Sequence, residues 1–419
     1  MTLRSRLLPL AALLLLPTPL SANPNDWPTW RGADHTGHAN PDQDLPLKFS
    51  KSENVRWVTS IPGKGHGSPI VVGEQIYLAT ADEKKQTQSL LCLDRKTGKQ
   101  IWVREIHTGN LPKKINNKAT HASSTPACDG ERVFINFMND GAVHTTALSL
   151  KGKILWQTKI TNYVVHQGFG SSPAVYKNLV IVSADNKTGG AICGLDRNSG
   201  KVIWKVDRPK KPNYVSPVIY KIGGRDQLIL MGCDLVTSLD PNDGKKLWEF
   251  NGATTECVSS IVTDGKHVFT SGGYPKNHIA AVKADGSGEV VWKNISRVYV
   301  PSMLVRDGYL YAVMDGGAAM CWKSDTGEKM WKGKLGGTFT ASPVLVGDDI
   351  HAINENGEYL VFKADPKEFK IVARNQIGEK AFSTPTICGG QIYSRVVEYD
   401  GDQRIEKLYC LGVNQSPGD

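Results

Sequence analysis

The chain has 419 residues, with 50 Lys and Arg against 41 Asp and Glu, eight cysteines and ten tryptophans. The net charge of +9 is spread along the chain, and no basic stripe interleaved with aromatics is present, so no nucleic-acid partner is expected. No cysteines stand at CxxC spacing, so no metal centre is expected either.

Residues 1–22 read as a secretory signal: Arg4 and Arg6, an apolar stretch over 7–16, and a small-residue end at Ser21-Ala22. The apolar run is short for a membrane span, so a retained signal anchor is the minor alternative and no transmembrane segment is expected. No cysteine follows the cut, which implies an exported, periplasmic or extracellular protein without a lipid anchor. Removing the signal leaves 48 basic against 41 acidic residues, +7. The clusters Lys84-Lys85, Lys113-Lys114 and Lys210-Lys211 read as solvated loops, with attraction to an acidic partner as the other reading.

Residues 23–53 hold Trp27-Pro28-Thr29-Trp30-Arg31-Gly32, followed by a polar loop with His35 and His38. Two tryptophans so close together read as a strap packed on the domain behind it, with the histidines at the surface. Residues 54–59 form a lone tryptophan strand around Trp57, with no β-rich run before it.

From there Trp57, Trp102, Trp156, Trp204, Trp248, Trp292 and Trp331 recur at steps of 45, 54, 48, 44, 44 and 39 residues. Periods of roughly 40–50 residues mark propeller blades. The unit from Ser68 to Trp102 opens on Ser-Pro and gives four short β runs separated by turns, one antiparallel blade. The same start recurs at Thr125-Pro126, Ser172-Pro173, Ser216-Pro217, Ser342-Pro343 and Thr384-Pro385, without the Pro at Ser260 and inverted at Pro301-Ser302. The last unit runs out near Leu411 with only three strands. The lone strand at 54–59 completes it, giving an all-β, eight-bladed propeller over 54–413 whose ring is closed by its two ends, followed by a tail at 414–419. Closure hides the edges that an open array would expose. One blade departs from the pattern, with Ile371-Val372-Ala373 where a tryptophan is expected.

The turns before the tryptophans read CLDRKTGKQIW from Cys92, GLDRNSGKVIW from Gly194, SLDPNDGKKLW from Ser238 and CWKSDTGEKMW from Cys321, the last with Lys323 in place of Asp. This register resembles the PQQ-like repeat family of eight-bladed propellers, with its docking motif AxDxxTGxxxW and BamB-like scaffolds among its members. The WPxxRG opening fits the same resemblance. Physically, Gly supplies a tight turn, Asp bonds the turn's amides, and the indole packs between neighbouring blades while its N–H seeks an acceptor.

The cysteines sit mostly at small-residue positions of this pattern and read as buried hydrophobes. Cys233 with Cys257, on adjacent blades, is the one disulfide pairing left open.

Loops at one face of the ring surround the channel mouth and are the expected seat of function. The longest include residues 107–120, 161–168 and 397–407. The candidate ligand- or partner-binding residues are His66, His121, His166, Tyr214, Glu256 and Tyr299, beside Phe339 and Phe382. Each alone reads first as a channel-lining residue satisfied by water, and the binding reading belongs to the face as a whole. Gly65 and Gly67 would let a ligand approach His66, and His66 and His121 would make binding pH-sensitive near neutrality.

Family members that bind PQQ are dehydrogenases, with the quinone in the channel beside a Ca²⁺ held by Glu, Asn and Asp, and often two adjacent cysteines. This chain has no Cys-Cys pair, and only Glu256 can be placed as a channel carboxylate. The expectation is a monomeric, non-catalytic scaffold for a protein partner or small ligand, with no cofactor. A PQQ-dependent quinoprotein dehydrogenase with Ca²⁺ is the alternative.

Overall fold

The computed structural model describes residues 23–413; the expected signal at 1–22 and tail at 414–419 lie outside them. Eight antiparallel sheets follow one another around a ring. The first runs outward through Ile70–Val72, Gln75–Asp82, Thr87–Asp94 and Gln100–Thr108. In the eighth, Thr386–Cys388, Gln391–Asp400 and Gln403–Leu411 are completed by Val55–Ile61, with Trp57 opposite Cys410 and Thr59 opposite Leu408. The ring therefore closes as the orphan strand requires.

The tryptophan strand is outermost in its blade, and its indole packs on the turn of the next. Trp57, Trp102, Trp156, Trp292 and Trp331 donate their indole N–H to the carbonyls of Arg95, Leu150, Arg197, Ser324 and Asp365, at 2.6–3.0 Å. Trp248 donates instead to Gln227 Oε1 at 2.9 Å, and the buried Trp204 N–H has no partner. Asp94 accepts from the Thr97 amide at 2.7 Å, and Asp196 from the Ser199 amide at 2.8 Å, which holds the turns in shape. The glycine of the motif has a second reason beyond its positive φ. At Gly200, with φ 71°, a Cβ would lie 2.5 Å from the Trp156 ring, and at Gly98 one would lie 2.3 Å from Trp57.

In the blade that lacks a tryptophan, Phe369 packs on Trp331 with ring centroids 5.3 Å apart. Its other flank is filled from the strap: Phe49 is buried and meets Tyr359 edge-on at 5.1 Å. Asn375 fixes this piece by bonding the Phe49 amide at 3.0 Å and the Leu47 carbonyl at 2.9 Å.

The strap does more than lie on the ring: residues 27–43 touch every blade. Trp27 bridges Val71 in the first blade, and the Pro28 carbonyl accepts from Cys128 N in the second at 2.9 Å. Thr29 reaches Pro173 in the third, and the His35 carbonyl accepts from Tyr220 OH in the fourth at 3.0 Å. Trp30 bonds Ser260 in the fifth and Arg31 bonds the Met303 carbonyl in the sixth, at 2.9 and 2.7 Å. His38–Ala39 pairs in parallel with the inner strand of the seventh, and Gln43 bonds Gly390 N in the eighth at 3.0 Å. Trp27 is 4 % exposed and belongs to the core, as buried as the docking tryptophans. His35, expected at the surface, is buried, and burial pushes its pKa down.

All eight cysteines are free and buried, so Cys233 and Cys257 are not bridged. Cys233 Sγ lies against Asp185 and the Lys211 carbonyl, and Cys257 Sγ against Thr254. No helix among the described residues is long and apolar enough to cross a membrane.

Candidate ligand-binding channel

The Ser-Pro starts of the blades meet at the channel. At six of the eight junctions the backbone N–H of this residue donates to the hydroxyl of its counterpart one blade on: Ser68 to Thr125, Thr125 to Ser172, Ser172 to Ser216, Ser260 to Ser302, Ser302 to Ser342 and Ser342 to Thr384, at 2.9–3.0 Å. The repeated hydroxyl thus laces the inner strands of blades one to four, and of blades five to eight, into two arcs. At the two open junctions the Ser260 hydroxyl accepts the Trp30 indole N–H instead, and the Ser68 hydroxyl has no protein partner.

The strap crosses the channel at the end opposite the long loops, so the channel is a pocket with Trp30 as its floor. Its volume is about 530 Å³, within the range of small-molecule sites. Aromatic side chains wall it: Phe169, Tyr214, Tyr299, Phe339, and His66 stacked on Phe382 with ring centroids 4.4 Å apart. Three of its hydroxyls, on Ser68, Tyr214 and Thr340, are buried with no hydrogen-bond partner. The Gln167 backbone lies against the Tyr214 oxygen on the donor side, and no protein group accepts the Tyr214 O–H. Buried polar atoms are normally satisfied, so three orphans converging on one pocket are hydrogen-bonding capacity held open.

The six expected site residues fall into two groups. His166 Nε2 and Glu256 Oε1 are 3.1 Å apart, with Glu256 4 % exposed. Tyr214 and Tyr299 lie close enough to feel the Glu256 charge. Burial, then that charge, raises both phenol pKa values, so both stay protonated. His66 and His121 stand on the other side, under the loop over 107–120. Burial and then the cations of Arg395, Arg404 and Lys64 push the His66 pKa down to about 3, and burial lowers that of His121. The His66 imidazole is therefore neutral well below pH 7, against the expected titration near neutrality, and His121 is shifted in the same direction. The glycines beside His66 make room for protein, not ligand. A Cβ on Gly65 would lie 2.6 Å from the Arg395 guanidinium, and one on Gly67 would lie 2.3 Å from the Ser124 carbonyl.

Sequence reasoning missed the lid. The loop after Gln100–Thr108 crosses the mouth: Asn116 bonds Gln167 through backbone and side chain at 2.7 and 2.8 Å, and Lys118 Nζ reaches Glu355 of the seventh blade at 2.8 Å. Arg297 lies over the Tyr299 ring at 5.2 Å, and Asp315 accepts from the amides of Tyr299 and Val300. Nothing in a single sequence pairs Lys118 with a carboxylate 237 positions away.

The mouth carboxylates are all engaged: Glu256 with His166, Glu355 with Lys118, Asp315 with two amides. Among the described residues, one group of three side chains has the spacing of metal ligands, Asp264, His267 and Asp325. It lies apart from the residues of the channel pocket.

A family profile described as outer membrane protein assembly factor BamB, built of PQQ repeats, matches residues 49–162, 86–333 and 275–371. The chain belongs to this family. It is 23 % identical over 350 residues to an outer membrane protein assembly factor BamB of Bordetella pertussis, covering 80 % of this chain and 82 % of that one. It is also 26 % identical over 205 residues to a polyvinylalcohol dehydrogenase of a Pseudomonas species, covering 45 % of this chain and 30 % of that one. Among solved structures, BamB of Moraxella catarrhalis matches with a TM-score of 0.58 at 14 % identity, over 86 % of this chain and 98 % of that one. A europium-containing methanol dehydrogenase matches with a TM-score of 0.66 at 13 % identity, over 94 % and 99 %. At such identities these structures share the fold with this chain and nothing more is carried over.

Proposed function

We propose that this chain is an exported, non-catalytic member of its family, periplasmic or extracellular and not lipid-anchored. It takes a small polar ligand, or a projecting piece of a protein partner, into the channel mouth. The observation that carries this reading is the pocket itself, floored by Trp30 and walled by aromatics, with three buried hydroxyls that no protein group engages. Aromatic faces give apolar contact, and hydroxyls donate and accept, so the wall recognises a ligand that has both flat apolar surface and polar edges. The relatives named for outer-membrane protein assembly support a binding role.

The test is native mass spectrometry of the protein purified from an exporting host. A small ligand retained by the wild type should be lost in Tyr214→Phe combined with Thr340→Val, which remove two of the three open hydroxyls and leave the fold intact. Retention that is indifferent to these substitutions would count against the channel as the site.

The second reading is a quinoprotein dehydrogenase. It is favoured by the matches to polyvinylalcohol dehydrogenase and to a quinone-linked 1-butanol dehydrogenase of Thauera butanivorans, which span 45 % and 38 % of this chain. It requires a cation held by mouth carboxylates, and Glu256, Glu355 and Asp315 are bonded here to His166, Lys118 and two backbone amides.

A further inference from the structure

A second chamber opens beside the channel, on the far side of the His66–Phe382 stack. It holds about 900 Å³ between the lid, the turn bearing Glu83 and the eighth blade. Its wall is cationic. Lys64, Lys113, Lys114, Lys380 and Arg404 line it, against one carboxylate, Glu83, which pairs with Lys64 at 2.9 Å. Lys380 bonds only the neutral Asn356 side chain, at 3.1 Å. Lys113 and Lys114 have no ion-pair partner among the described residues.

The charge imbalance continues beneath the wall. Arg395 and Glu406 are each 1 % exposed and bonded Nε to Oε2 at 2.6 Å. Arg404 Nη2 shares the same carboxylate, 2.7 Å from Oε1. Two guanidinium groups thus face one carboxylate, and a positive charge is left over in a poorly solvated place. Arg404 Nη1 is buried with no acceptor at all. Excess positive charge beneath and around a cleft favours an anion inside it.

We propose that this chamber is a binding site for a small molecule bearing oxyanion groups, carboxylate, phosphate or sulfate. Arg404 supplies one cation of the wall, and the lid lysines Lys113 and Lys114 stand over the rest of the molecule. The chamber exceeds the size of a lone ion, and its cations stand on the lid, the connection into the first blade, the connection into the eighth blade and the eighth blade itself, so a ligand with more than one anionic group fits it best. This site is separate from the channel hydroxyls, and its test does not depend on them.

The experiment is isothermal titration of the purified chain with inorganic phosphate, sulfate and citrate, each against chloride at matched ionic strength. At least one should bind the wild type saturably. Its affinity should fall at least about tenfold in Arg404→Gln, the scale of a lost charge-assisted hydrogen bond. The double variant Lys113→Gln, Lys114→Gln leaves the buried Arg395–Glu406 pair untouched and should weaken the same titration. Binding of phosphate and sulfate alone would assign a tetrahedral oxyanion, and binding of citrate alone a carboxylate. Titrations in which all three match chloride, or in which the lid variant binds as tightly as wild type, would overturn the proposal.

Discussion

Trp30 Nε1 donates a 2.9 Å hydrogen bond to the hydroxyl of Ser260, a residue 230 positions away on the channel wall. That one bond makes the N-terminal strap the floor of the pocket. Trp30→Ala should open the floor to solvent. Ligand retention should be lost while the circular dichroism spectrum of the propeller is kept. Because Trp30 is only half-buried, its stability cost should fall below that of Trp27→Ala. Urea unfolding of the two variants checks the order.

The docking tryptophans should be among the costliest single changes. Trp57→Ala or Trp248→Ala should lose roughly 3–5 kcal/mol, the scale for emptying a large aromatic from a packed interface. Their partner glycines should be intolerant as well. Gly200→Ala adds both a Cβ against the Trp156 ring and a side chain at φ 71°. It should destabilise by more than about 1 kcal/mol, the scale of strain at one such backbone position, whereas Gly73→Ala has open space and only the φ penalty. Equal losses at the two positions would mean that the indole contact is unimportant.

Much of this fold could be read directly, because the repeat writes each blade four times over: a Ser-Pro start, two turns and a tryptophan. The closure through Trp57 and Cys410 followed from counting strands. What could not be read belongs to parts without a period. The strap touches all eight blades, but its contacts are single bonds to scattered partners such as Met303 and Gly390. The state of His66 is set by burial and then by Arg395 and Arg404, which reach it only because the last blade returns beside the first. The glycines flanking it pointed to a ligand by residue type, but their space is taken by Arg395 and Ser124.

Stability should fall on acidification. His66 is depressed to about 3, and His107 and His351 to about 4, each chiefly by burial. In the unfolded chain these imidazoles take up protons near 6.5. Between that value and the folded pKa values the unfolded state binds more protons, so their contribution is present in full above about pH 6.5 and is lost as pH drops towards 3. Urea midpoints should decline steadily from about pH 7 to about pH 4, and His351→Gln should flatten the decline. A midpoint that rises on acidification would contradict the buried neutral imidazoles.

The lid should be separable from stability. The Lys118–Glu355 pair is exposed on the lysine side, where such a bridge is worth at most about 1 kcal/mol. Lys118→Ala should leave the unfolding midpoint nearly unchanged. Hydrogen exchange at residues 109–120 should speed up as local opening becomes easier. Unchanged exchange there would mean that Asn116 and Gln167 alone hold the lid.

The most direct measurement is a dye-linked oxidation assay on the exported protein, supplied with PQQ and Ca²⁺ and offered primary alcohols and sugars, run beside Glu256→Gln. A binding propeller whose mouth carboxylates are engaged with His166, Lys118 and backbone amides should show no turnover above the dye blank in either form. Robust turnover by the wild type that disappears in Glu256→Gln would contradict the non-catalytic reading and assign the channel to a quinoprotein dehydrogenase.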